Sequence, residues 1–143
     1  MKHKTIHIEK TFDTSIENVW KAITDKELMK KWYFDIPDFK LEVGCKFQFE
    51  GQKDGVKYLH LCEILEMIPL KKLMYSWKYK NYKGITFLTF GLIQKNEKTI
   101  LKLTHKGLET IAKENPDFAP ENFIQGWNYI INESLSNFLK TEF

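Results

Sequence analysis

Tyr75, Trp77 and Tyr79 occupy every second position of one short apolar run. In an extended chain such residues share a face, so the three rings would form one aromatic wall with hydroxyls at two depths. A wall of that kind can hold an apolar molecule and orient it through the hydroxyls, or it can pack as plain core. On the next run Phe87 is the neighbouring candidate. Period-two register alone leaves two inward sets open there, Phe87 with Thr89 or Leu88 with Phe90.

His105 closes a run in which it alternates in register with Leu101 and Leu103, so the imidazole should share their interior face. A buried imidazole can serve as acid or base near neutral pH, or as a hydrogen-bonded structural group. Glu63 and Glu66 are the carboxylates best placed to reach the same interior. The cost of burying an unpaired carboxylate argues that one or both face solvent. No Ser, Cys or carboxylate stands at a spacing that completes a catalytic triad, and His3, His7 and His60 make no metal-ligand pattern. No glycine-rich phosphate loop is present either, so no metal and no cofactor are expected.

The elements that must position these residues follow from the patterning. Ile6, Ile8 and Lys10 alternate with His7, Glu9 and Thr11, as in a strand with distinct faces. Thr14-Ser15-Ile16-Glu17 reads as a capping box with Thr14 at the cap, and Ile16, Val19, Trp20 and Ile23 then recur at helical spacing. A second box, Thr24-Asp25-Lys26-Glu27, starts a new helix with Leu28, Met29 and Trp32 inside. Glycines and Pro69 then punctuate apolar runs from Cys45 to His105, which with the first strand make about six strands of an antiparallel meander.

A long amphipathic helix from about Pro120 to Lys140 is the only element large enough to cover one face of that sheet. Its wheel places Phe123, Trp127, Ile130, Ile131, Ser134 and Phe138 on the sheet side. Asn122, Gln125, Tyr129, Asn132, Glu133, Ser136 and Lys140 fall opposite. Gly126, beside Trp127, is small enough to permit close backbone approach.

At 143 residues and 43% hydrophobic content the chain fits one domain, 1–143, with a single core. Net charge is +3, and all 22 basic residues are Lys, scattered in ones and twos. Base readout and phosphate clamps favour the guanidinium fork, so no nucleic-acid partner is expected. No run approaches the roughly 18 apolar residues of a membrane span, and the N-terminus lacks a signal peptide's apolar core. No membrane insertion and a cytoplasmic location are the expectation. Cys45 and Cys62 read as small core thiols in a reducing compartment.

Taken in order, several landmarks resemble the heat-shock protein 90 ATPase activator-like family of the START-like (SRPBCC) superfamily. They are Val19-Trp20 with Thr24-Asp25, Trp32, Gly44, Pro69 with Leu73 and Trp77, then Thr99, Leu101, Leu103, His105 and Gly107, and finally Gly126-Trp127. The resemblance spans nearly the whole chain and implies an α+β helix-grip fold, a curved antiparallel sheet wrapped around a long C-terminal helix. It also implies a largely apolar cavity between the two. One departure is Cys62, followed by Glu63 and Ile64, where the family often has a small residue before a Val on the third strand. The eukaryotic cochaperones of the family carry a separate N-terminal domain, which a single-domain reading of this chain lacks.

The expectation is therefore a domain that binds a small hydrophobic or amphipathic molecule between sheet and helix. Tyr75, Trp77, Tyr79, Phe87, Leu103, His105, Phe123, Trp127, Ile130 and Ser134 are the candidate ligand contacts. Two alternatives stay open. One is a cyclase or isomerase in which His105, a cavity Tyr and Glu63 transfer protons, and the other is a chaperone-related protein-interaction module. A homodimer also stays open.

Overall fold

A computed structural model describes residues 5–143. Six antiparallel strands form one sheet: β1 (Ile6–Phe12), β2 (Lys46–Lys53), β3 (Val56–Ile68), β4 (Lys72–Tyr79), β5 (Thr86–Lys95) and β6 (Lys98–Lys106). Their spatial order is β1-β6-β5-β4-β3-β2, so the last five make a meander and β1 returns to pair with β6. This is the α+β architecture the patterning implies. Asp54 and Gly55, both at positive φ, close the β2–β3 hairpin in the two-residue turn that matches strand twist.

Alternation decides the faces. Phe47 and Phe49 on β2, Tyr58, His60, Cys62 and Ile64 on β3, and Leu73, Tyr75, Trp77 and Tyr79 on β4 point into the core. On β5 and β6 the inward residues are Thr86, Leu88, Phe90 and Leu92, with Thr99, Leu101, Leu103 and His105 beside them. A β-bulge between Ile64 and Glu66 bends β3 as it passes Tyr75 and Met74.

Two helices follow β1: α1 (Ile16–Thr24) and α2 (Lys26–Trp32). Each is capped one residue later than the capping boxes suggest. Ser15, not Thr14, accepts from the Asn18 amide at 3.2 Å, while Thr14 Oγ1 accepts from the Asn18 side chain. Asp25, not Thr24, accepts from the amides of Glu27 and Leu28. A carboxylate in extended backbone reaches two orphan donors at once, leaving Thr24 to donate its hydroxyl back to the Trp20 carbonyl.

After α3 (Glu109–Ala112) and a 3-10 turn (Pro116–Phe118), the C-terminal helix runs as α4 (Pro120–Tyr129), a π-helical segment (Ile130–Leu135) and α5 (Ser136–Glu142). The widened turn shifts the buried face relative to an ideal 3.6-residue wheel. Trp127 is buried before it and Ile131 near its start, as that wheel places them; Leu135 at its end and Ser136, Phe138 and Leu139 beyond it are buried too. Ser136, placed on the outer arc by the wheel, therefore faces inward. Ser134 is diverted too: its hydroxyl donates to the Trp32 carbonyl at 2.7 Å, which ties this helix to α2.

Candidate functional site

Between the sheet and α4, toward the β2–β3 end, lies a pocket of about 220 Å³. Trp77 and Tyr79 wall it from the sheet, Phe123, Trp127 and Ile130 from the helix, and Phe34 and Phe118 from the connecting loops. Gln52, Lys53, Asp117 and Asn122 add polar groups to a lining that is otherwise mostly rings. Gly126 lies on the same helical face as Phe123 and Ile130, at the exposed rim, and a Cβ built on it meets nothing within 4 Å. Close backbone approach is thus not its role; leaving space at the pocket is.

His105 sits deeper and is fully committed. Trp127 Nε1–H donates to His105 Nδ1 at 3.0 Å. Thr86 Oγ1 lies 2.8 Å from His105 Nε2 and donates its own hydrogen to the Trp77 carbonyl at 2.8 Å, so Nε2 must carry the ring proton. The result is one directed chain from helix to three strands, with both ring nitrogens used. Burial, with a smaller contribution from His60, pushes the His105 pKa down to about 3.

His60 is held differently. Its ring stacks on Phe49 with centroids 4.4 Å apart, Nδ1 faces the Tyr58 carbonyl at 3.1 Å, and burial lowers its pKa to about 4. Gly51 makes room for that ring, since a Cβ there would lie 2.7 Å from His60 Cε1. Near the mouth, Tyr58 donates its hydroxyl to Asp117, and that bond raises the phenol pKa. Asn115 donates to the hydroxyls of both Tyr58 and Tyr82, and Phe118 stacks on Tyr79 at 4.2 Å, so the 3-10 turn is fastened over the sheet.

The candidate residues separate into groups. Trp77, Tyr79, Phe123, Trp127 and Ile130 come together around the pocket. Tyr75 lies beside them in the core, its hydroxyl 2.8 Å from that of Tyr33, and burial raises both phenol pKa values. Leu103 and His105 pack deeper on the same face. Phe87 does not join them: it alternates with buried Leu88 and pairs with Ser76 on the outer face, so Leu88 and Phe90 are the inward set. Ser134 is spent on Trp32.

Glu63 is corrected likewise. It lies between inward Cys62 and Ile64 and therefore faces out, while Glu66 pairs with Lys72 at 2.8 Å on the surface. With His105 saturated and Glu63 outside, the proton-transfer trio of His105, a Tyr and Glu63 is not assembled. Among the described residues no three His, Cys, Asp or Glu side chains gather to share a metal ion.

Phe34, Tyr58, His60 and Phe118 line the pocket as well, beyond the residues that the sequence pattern points to. For Tyr58 and His60 a signal existed, since they alternate with Cys62 and Ile64 on the apolar side of β3. Phe34 and Phe118 lie in connections, where periodicity has nothing to report.

The strand order and the helix across the sheet agree with what the comparisons find. The family model described as "Activator of Hsp90 ATPase homolog 1-like protein" matches residues 13–140. The chain belongs to that family. A mouse relative, "Activator of 90 kDa heat shock protein ATPase homolog 2", is 28% identical over 116 residues, covering 79% of this chain and 33% of the relative. The chain thus spans about a third of that protein's length.

Among solved structures, the Mll3558 protein from Rhizobium loti is similar with a TM-score of 0.82 at 18% identity, over 96% of this chain and 97% of that one. DynU16, a protein of the dynemicin biosynthetic locus, gives a TM-score of 0.78 at 16% identity, over 96% and 48%. At these identities both likenesses concern the fold. Among the described residues no helix is long and apolar enough to cross a membrane.

Proposed function

We propose that this START-like domain binds a small, largely apolar molecule in the pocket between the sheet and α4. The observation that carries the reading is the lining itself: rings from sheet, helix and loops surround about 220 Å³ that no side chain of the protein fills. Apolar surface moved from water into such a site contributes about 25 cal/mol per Å², before ordering costs. The volume suits a molecule of one or two fused rings. DynU16, a fold neighbour, belongs to a biosynthetic locus, which is compatible with small-molecule handling by this fold.

Family membership supports a second reading, a protein-interaction role linked to a chaperone ATPase, because that activity is in the family's description. The two differ in what touches the pocket. Titration of the full chain with naphthalene, followed by the indole N–H signals of Trp77 and Trp127, tests the first. Saturable shifts at those two signals, lost in Gly126→Leu, are the expected result. Shifts absent at saturating naphthalene would overturn small-molecule binding here and favour the protein partner.

A further inference from the structure

β2 carries a charge on its inner face. Phe47 and Phe49 are buried there, Gly51 follows, and half-buried Lys53 is the next residue of the same alternation, about 7 Å beyond Gly51 toward the hairpin. Lys53 therefore belongs to the pocket lining. A lysine at an inward position is costly unless its ammonium reaches water or a negative partner.

The partner it has inside the protein is weak. Lys53 Nζ lies 3.3 Å from Asp54 Oδ2, but the Asp54 side chain is 85% exposed, and a pair in that much water contributes little. Asp117 is the other charged residue of the lining, and its carboxylate accepts the Tyr58 hydroxyl hydrogen. The wall is thus graded along the strands. Trp77 and Tyr79 lie level with Phe47 and Phe49 across β3, and the ammonium stands beyond them at the hairpin end. An inward lysine on an edge strand also discourages pairing with another sheet, a role that predicts no preference among ligands.

We infer that the pocket takes an amphipathic anion, an aryl carboxylate whose rings lie against Trp77 and Tyr79 and whose carboxylate meets the Lys53 ammonium. This deepens the pocket-binding reading above and rests on it. The neutral amide of the same outline keeps the ring contacts but brings no charge to Lys53, so the difference between the two isolates the ammonium.

The test is a calorimetric titration of the full chain with 2-naphthoate, 2-naphthamide and naphthalene, with the indole N–H signals of Trp77 and Trp127 reporting that each probe enters the pocket. Wild type should prefer 2-naphthoate to 2-naphthamide by about fivefold, the upper range for an ion pair that stays partly exposed. Lys53→Met should erase that preference, Lys53→Arg should keep it, and Lys53→Glu should invert it. The ratio of the two affinities is the readout, so a general change in pocket affinity cancels. Naphthalene binding and the melting curve report that pocket and fold survive; should Lys53→Met not fold, Lys53→Gln takes its place. If the two naphthyl probes bind wild type equally, if the preference arises without indole shifts, or if it persists in folded Lys53→Met, anion recognition is overturned and the pocket reading rests on naphthalene alone. If none of the three probes binds, both fall.

Discussion

Trp127 donates its indole hydrogen to His105 Nδ1 at 3.0 Å, joining the C-terminal helix to the centre of the sheet through a neutral imidazole. The bond makes the helix position and the charge state of His105 interdependent, because a protonated ring has no acceptor left for Trp127. It also explains why the most sequence-conspicuous imidazole is structural in this fold. The chain of bonds continues through Thr86 to the Trp77 carbonyl, so the same relay braces an aromatic residue of the pocket wall.

Trp127→Phe preserves most of the ring but removes the donor, leaving Nδ1 without its partner. The expected loss is about 1 to 3 kcal/mol by urea denaturation, the cost of an unsatisfied buried group. Trp127→Ala should lose about 3 to 5 kcal/mol, toward the lower end where the ring borders existing space. In Trp127→Phe the His105 imidazole should titrate at a higher pH than in wild type. An unchanged His105 titration would show that the indole bond does not hold the neutral form.

Acid should destabilise the fold through His60 and His105 in a defined window. Both have folded pKa values, about 4 and about 3, below the unfolded value near 6.5, so between those limits the unfolded chain binds more protons. Stability is therefore full above about pH 6.5 and falls as pH drops toward 3, by roughly 2 kcal/mol per imidazole at pH 5. Denaturant midpoints measured from pH 7.5 to 4.5 check the slope. His105→Gln, which lacks a titrating ring, should flatten it by about half.

Gly126→Leu should raise stability and abolish binding together. Its Cβ meets nothing within 4 Å, and leaving glycine in a helix is worth about 0.5 to 1 kcal/mol. The new side chain projects from the rim of the pocket. A higher melting temperature with naphthalene binding retained would mean that the entrance lies elsewhere.

Ser134→Ala separates the helix clip from the pocket. Losing the 2.7 Å bond to the Trp32 carbonyl should cost about 1 kcal/mol, with naphthalene affinity unchanged. Altered affinity in a folded Ser134→Ala protein would return that residue to the pocket wall.

The alternation of the β runs, the two capped helices and the apolar arc of the last helix are legible because each is local: period two and period 3.6 are written residue by residue. That information was enough for about six strands, a long helix covering one face of the sheet and the shared face of Tyr75, Trp77 and Tyr79; the helix-grip architecture came from the family resemblance. Tertiary structure decided the rest. The choice between Phe87 and Leu88 depends on which face of β5 meets the helix, and a one-residue change of register inverts it. The π-helical segment turned Leu135 and Ser136 inward, a departure from regular helix that no 3.6-residue wheel contains. The roles of the two histidines separated only when their partners met them: Trp127, 22 residues away, saturates His105, whereas His60 is held by the backbone carbonyls of Tyr58 and Phe49 and by the Phe49 ring. Hydrogen bonding between distant residues has no period, which is why the sequence marked His105 and passed over His60.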